Sequence, residues 1–313
     1  MGRVRPMTIS NRADAGVSAG TQISVSIRFA LPSARLTPYV TTYYCTQVTS
    51  SDADAMIEDR LHPEWANLRF IEKGMSQSAI GSAPLEIVPE FAVAGPTSIA
   101  PRFRMGPGKS WGVGLMPLGW AALFGAPASE YTDRVVDGLK DPAFWAFHPL
   151  ANALSRSSSR DFAEELALIE AHMEALCLKD TCDMRAIHAV NTAIVDSRIG
   201  TVAQLAKEVA MNVRSLERLS KRAFGFSPKL LLRRQRFLRS LSKFMLDPSM
   251  KWLSTLDQHY HDQAHFVRDF KRFMGMSPSA YAKLDKPILM AAAQARMAIA
   301  GQAVQGLHDP KAD

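Results

Sequence analysis

Apolar positions follow two different periods along the chain. From Thr37 to Phe147 they come in short runs broken by Pro and Gly: VTTYYCTQV, WANLRFIEKG, LEIVPEFAVAG, APRFRMGPG and WGVGLMPLG. Runs of that length between turn formers predict strands, and several at this spacing predict a β-sandwich or barrel, here over 35–154. The end of this region differs, because WAALFG and PASEYTDRVVDGL predict two short helices, the second started by Pro127 with Glu130 in its first turn. Upstream, ISVSIRFAL at 23–31 alternates Ile23, Val25, Ile27 and Phe29 with polar residues. It reads as an isolated strand or extended tail within a poorly ordered segment 1–34.

After residue 155 the period lengthens. The serine-rich SRSSSR at 155–160 marks a hinge, and Phe162, Leu166, Ile169, Met173 and Leu176 then form a narrow stripe on a helix within a connector spanning 155–189. That stripe suits packing on a flanking domain and pairing with a second copy equally well. Beyond it, one short unit occurs twice. KRAFGFSP at 221–228 and KRFMGMSP at 271–278 match at an offset of 50, aligning Lys221 with Lys271, Arg222 with Arg272 and Gly225 with Gly275. Arg218 pairs with Arg268 in the same register, whereas Leu219 stands opposite Asp269, so one core position does not repeat.

Each copy reads as helix, turn, helix. In the first, Thr201 and Gln204 form a capping box, Val202, Leu205, Ala206 and Val209 make an apolar face, and Asn212 caps a second helix closed by Gly225. In the second, Ser249 and Asp262 are the caps, with Phe266, Phe270 and Phe273 facing inward. Pro228 starts a long helix between the copies, apolar at Leu230, Phe237, Leu238, Leu241, Phe244 and Met245 and basic at Arg233, Arg234, Arg236 and Arg239. The double unit covers 190–286, and a tail follows at 287–313.

Charge sharpens this picture. Residues 196–286 hold 18 Lys and Arg against 8 Asp and Glu, so a local +10 exceeds the +7 of the whole chain. A basic double helix-turn-helix is suited to DNA, whose phosphates it would neutralise with release of counterions. Cys45, Cys177 and Cys182 have no metal-ligand spacing, and their odd number argues against a disulfide framework. No apolar run reaches the length of about 18 residues that a membrane span needs, and no apolar segment follows Arg3 and Arg5. A cytoplasmic protein is therefore expected.

Signals of other chemistry are weak. GPGKS at 106–110 lacks the upstream glycine of a phosphate-binding loop, Phe103 standing there. Arg102 and Arg104 share a strand face near Trp111 and Trp120, which makes these four the candidate lining of a pocket for an anionic or aromatic effector. No nucleophile carries a catalytic signature, and neither a metal site nor a cofactor is expected.

The C-terminal hundred residues resemble the DNA-binding domain of the AraC/XylS family of transcriptional regulators, through TVAQLAKEVAMNVRSLERLSKRAFGFSP and DQAHFVRDFKRFMGMSPSAY. FRMGPGKSWGVGLMPLGWAALFGAPASEYTDRVVDGL resembles the β-rich N-terminal domain of a subgroup of these regulators. The resemblance implies a multidomain α+β protein that is not an enzyme. A β-rich, cupin-like N-terminal domain would sense an effector or dimerise, and an all-α C-terminal domain with two helix-turn-helix units would read successive major-groove segments of double-stranded DNA. RNA polymerase and a second copy of the chain are the further candidate partners. Carried over by position, Arg214, Glu217, Arg218, Gln263, Ala264, Val267 and Arg268 face bases, while Ser215, Lys221, Arg222, Lys271 and Arg272 hold phosphates. The chain departs from the family at His259, where glycine is common, at Thr255, where alanine is, and at Ser220, where phenylalanine is; histidine tolerates a positive φ at the second turn at some cost. The rival reading is a cupin-like enzyme or ligand-binding module with an appended basic helical domain.

Overall fold

The computed structural model describes residues 7–11, 23–156, 160–176, 183–246 and 252–309. Its strands are β1 (Met7–Asn11), β2 (Ile23–Ala30), β3 (Val40–Ser50), β4 (Ile57–Arg60), β5 (Asn67–Ile71), β6 (Ser76–Ile80), β7 (Glu86–Ile87), β8 (Phe91–Ala94), β9 (Pro101–Met105), β10 (Gly108–Leu115) and β11 (Val135–Asp137). They form two antiparallel sheets, ordered β1-β2-β3-β10-β5-β8-β11 and β4-β9-β6-β7. The short helix α1 (Pro117–Leu123) follows β10, with Pro117 at its first position where a missing N–H costs nothing.

Two expectations for this domain are corrected. The segment 23–34 is not a tail, because β2 pairs with β3 from Ile23 opposite Ser50 to Ala30 opposite Tyr43, and its alternate residues are buried. The 7–11 stretch of the segment forms β1 on the outer edge of β2; residues 1–6 and 12–22 lie outside the described residues. The helix expected from Pro127 is instead a single 3-10 turn at Ala128–Glu130 followed by β11. Val135 and Val136 find unpaired edge groups of β8 there, and a ladder satisfies their backbone better than a lone helical turn would.

The helices that follow are α2 (His148–Ser155), α3 (Phe162–Ala175), α4 (Met184–Val195), α5 (Val202–Glu208), α6 (Val213–Phe224), α7 (Pro228–Leu246), α8 (Trp252–Thr255), α9 (Gln263–Met274), α10 (Pro278–Ala282) and α11 (Pro287–Ala300). Asp161 caps α3 in a full capping box with Glu164. The stripe of α3 packs on the β domain: Phe162, Leu166, Ile169 and Met173 join the core of Tyr43, Leu68, Phe91 and Trp111. The same face is therefore not available for pairing with a second copy. Ser249 and residues 157–159 of the hinge lie outside the described residues.

The 287–313 segment is more than a tail. One face of α11 places Ile288, Ala291 and Ala295 against Ile23, Val25 and Phe29 of the large sheet, and the other places Leu289 and Ala293 against Phe237 and Tyr281 of the helical domain. Asp59 of β4 accepts from Leu289 N at 2.8 Å, serving as a cap that α11's own sequence lacks. Burial raises the Asp59 carboxyl to about 6 despite that bond.

Candidate nucleic-acid interface

The first unit is built as its capping residues dictate. Thr201 accepts from Gln204 N and the Gln204 side chain returns to Thr201 N, while Asn212 accepts from Ser215 N at 2.8 Å. Between α5 and α6 the chain turns at Ala210, which takes φ 51. Leu216, Leu219, Ala223 and Phe224 are buried, leaving Arg214, Glu217, Arg218, Lys221 and Arg222 exposed and Ser215 half-buried. A left-handed Gly225 at φ 83 ends α6.

The second unit repeats the geometry. Asp262 accepts from His265 N at 2.6 Å to start α9, and Gly275 at φ 72 ends it. Phe266, Phe270, Phe273 and Met274 are buried, Gln263, Ala264, Arg268, Lys271 and Arg272 are exposed, and Val267 is half-buried. Each helix thus turns a basic face outward and an apolar face inward. Lys221, Arg222, Lys271 and Arg272 lie in the last turn of their helices, where cations also complement the dipole. Arg222 is already engaged, its Nη1 lying 3.2 Å from Asp183 at the start of α4.

Sequence reasoning missed how much of the arginine-rich α7 is turned inward. Asp269 of α9 is fully buried and takes Arg233 Nε at 2.5 Å, Arg236 Nη2 at 3.1 Å and the Tyr260 hydroxyl at 3.1 Å. Arg239 pairs with buried Asp257 at 2.6 Å. Arg234 is fully buried in the β domain, where Nη1 donates to Thr97 O at 2.9 Å and Cζ lies 3.8 Å from the Trp65 ring centroid. Burial lowers its pKa to about 9, so it remains a cation at neutral pH. The one available signal was the failure of the repeat at Leu219 and Asp269.

The turn before α9 also differs from expectation. Among the described residues only Asp133 and Ala210 combine a side chain with positive φ, so His259 bears no left-handed strain. Its ring donates from Nε2 to Ser197 O at 2.7 Å, and Gln258 donates to the same carbonyl, tying the second unit to the entrance of the first. Thr255 is buried and bonds back to Trp252 O at 2.8 Å. Ser220 is buried with no partner for its hydroxyl among the described residues.

The four residues expected to line an effector pocket separate. The alternation of β9 turns Phe103 and Met105 inward and Arg102 and Arg104 outward, where Arg104 pairs with Glu58 at 2.8 Å and Arg102 donates to Ala83 O. Trp120 is in the core beside Phe124 and Phe144, its Nε1 bonded to Ala126 O. Trp111 borders a cavity between the sheets, although its Nε1 is taken by buried Glu165 at 2.6 Å.

Two helix pairs on a shared long helix, the second helix of each capped by a side chain and basic on its outer face, define a double helix-turn-helix domain of the kind that binds DNA. Residues 205–284 match the family model described as a helix-turn-helix domain, and residues 28–137 match a domain of unknown function (DUF6597). No curated relative matches the chain. Among solved structures, ToxT from Vibrio cholerae is similar at 12% identity and a TM-score of 0.40, covering 73% of this chain and 97% of that one. The AraC-like transcriptional activator CuxR is similar at 14% identity and a TM-score of 0.30, covering 75% and 87%. The C-terminal region is a helix-turn-helix domain by its geometry and by the family model alike. Among the described residues no helix is long and apolar enough to cross a membrane.

Proposed function

We propose that α6 and α9 are recognition helices that read two successive major-groove segments on one face of double-stranded DNA, and that the β domain modulates this reading in response to a small-molecule effector or to dimerisation. The observation that carries the reading is the matched exposure of Arg214, Glu217 and Arg218 on α6 and of Gln263, Ala264 and Arg268 on α9, each opposite a buried apolar face. Arginine pairs bidentately with guanine, glutamine with adenine, and Glu217 accepts from cytosine. Half-buried Val267 offers apolar contact to a thymine methyl, and Ser215, Lys221, Lys271 and Arg272 hold phosphates, with Arg222 recruited once DNA competes with Asp183. Regulation of genes in the cytoplasm follows, with RNA polymerase as a further partner.

The test is binding of the full chain to a library of duplexes at several salt concentrations. A selected sequence carrying two elements about one helical turn apart, bound with an affinity that falls steeply with salt, is the expected result. Salt-independent binding, or no selection beyond random duplex, would refute the reading.

A further inference from the structure

The seam between the two helix-turn-helix units holds a cleft of about 560 Å³. Residues 199–202, at the entrance to α5, form one side, Arg268 of α9 stands on the other, and α7 contributes most of the rest. Sites for small organic ligands are lined mainly by apolar groups. This cleft is not: among the described residues that line it, five are Lys or Arg and none is Asp or Glu.

Three carboxylates outside the lining answer part of that charge. Asp269 takes Arg233 and Arg236, and Asp257 takes Arg239 at 2.6 Å. Asp196, which also acts on Arg239, is engaged by Arg198 at 2.6 Å. Lys229 and Arg268 are left over, both exposed and neither paired with a carboxylate among the described residues. Arg233 follows Lys229 by one turn on the same face of α7, and its partner Asp269 is the chain neighbour of Arg268, so cations from two helices meet at the cleft. The His265 imidazole on the same wall is held below its usual pKa by burial first and then by Arg236 and Arg268, against the opposite pull of Asp269. A cleft with two unpaired cations, a half-buried guanidinium beside them and little apolar surface suits a compact anion rich in acceptors. Phosphate is the anion that lysine meets as a point charge and arginine as a fork.

We propose that this cleft is a phosphate-binding site, in which Lys229 and Arg268, with Arg233 beside them, hold one phosphate group. Two sources carry that chemistry. On one face of a duplex, successive major-groove segments are separated by the minor groove and the two backbones that border it, and the cleft lies at the seam of the units that would read those segments. A backbone phosphate from that stretch adds affinity and register without sequence information, and this source rests on the double reading proposed above. Free phosphate is the other source, and it would compete with DNA for the same cations.

Two titrations of the full chain test the site. In the first, the selected duplex carries uncharged methylphosphonate links in place of the phosphates between its two elements. Binding of the unmutated chain is expected to weaken by about tenfold, a readout independent of how any variant folds. Lys229→Gln should weaken selected and random duplexes alike, lower the salt slope by about one, and remove the effect of the methylphosphonate links. In the second, inorganic phosphate is added to the DNA-free chain at constant ionic strength. Saturable shifts of the amide resonances over 229–239 and 262–268, weakened about tenfold or more in Lys229→Gln, are expected if the site takes the free ion. An effect of the links alone assigns the site to the backbone, and saturation alone assigns it to free phosphate. Neither effect, or effects unchanged in Lys229→Gln, would overturn the proposal. Selective DNA binding that is indifferent to the links and to phosphate removes this site and leaves the double reading standing; absence of DNA binding removes the double reading, and the phosphate titration then decides the site by itself.

Discussion

The two helix-turn-helix units share caps, closing glycines and basic faces, yet they are anchored by different physics. The first is held by apolar packing onto the β domain: Trp65 and Leu118 enter its core, and the Trp65 ring meets Phe224 edge-on at 5.8 Å. The second is held by charge. Asp269, at the position where the first unit has Leu219, gathers Arg233, Arg236 and Tyr260, and the link to the β domain runs through His62 and Tyr281, through Ala100 N donating to Phe273 O at 2.7 Å, and through α11. A repeat conserves the geometry that presents a surface; the means of fastening it follow from whatever each copy is packed against.

The largest expected effect comes from making the copies alike. Asp269→Leu imports the first unit's residue but removes the buried carboxylate shared by Arg233, Arg236 and the Tyr260 hydroxyl, leaving Arg236 only the neutral His259 carbonyl and His265 ring, so unfolding in urea should show a loss of about 3 kcal/mol. A loss below about 1 kcal/mol would sink the ionic-anchor account. The closing glycines give a second contrast. A Cβ on Gly275 meets nothing within 4 Å, so Gly275→Ala should cost only the left-handed backbone, about 1 kcal/mol. On Gly225 it would lie 2.4 Å from Thr132 Cγ2 of the β domain, so Gly225→Ala should cost about 2 kcal/mol or more by the same measurement. Equal costs would show that the first unit does not press on the β domain.

For DNA, the richer set of hydrogen-bonding residues on α6 leads us to expect that Arg214→Ala loses about 2 kcal/mol on the preferred site and Arg268→Ala about 1 kcal/mol, while Lys271→Ala weakens all duplexes alike. Equal loss on preferred and random duplexes from either arginine variant would refute base reading by that unit.

The remaining contrast is in pH. Burial lowers His62 to about 3, below its unfolded value of 6.5, so its contribution is present above pH 6.5 and is lost as pH falls through the window from 6.5 to 3. Asp59 acts in the opposite sense: raised from 3.8 to about 6, it contributes most below pH 3.8 and loses that contribution as pH rises to 6. The wild-type chain therefore shows only the difference of the two below pH 6. Relative to His62→Gln, it should lose up to about 1.4 kcal/mol per unit between pH 6.5 and 5 in urea unfolding. Parallel pH profiles of the two chains would exclude His62 as a buried neutral group.

Much of the helical domain is legible because its determinants are local. A capping side chain and its N–H lie three residues apart, and the apolar period of a helix is written along one stretch, so Thr201, Asn212, Asp262 and the inward faces of α6 and α9 could be read directly. In the β domain the strands were legible as runs, but not their partners. Nothing local says that Ile23–Ala30 adds to Val40–Ser50, or that the stretch after Pro127 completes a sheet edge.

By itself, then, the sequence determined the two units, the caps of α6 and α9 and their basic outer faces, since each depends on neighbours within a turn or two. Tertiary structure alone decided which arginines of α7 are spent inside, which way Arg102 and Arg104 point, and that α11 closes the β domain with Arg296 on the cavity wall. Those outcomes rest on contacts such as Asp59 with Leu289 and Arg296 with Thr42, 230 and 254 residues apart, whose partners are chosen by packing and by the cost of leaving a buried charge unmet.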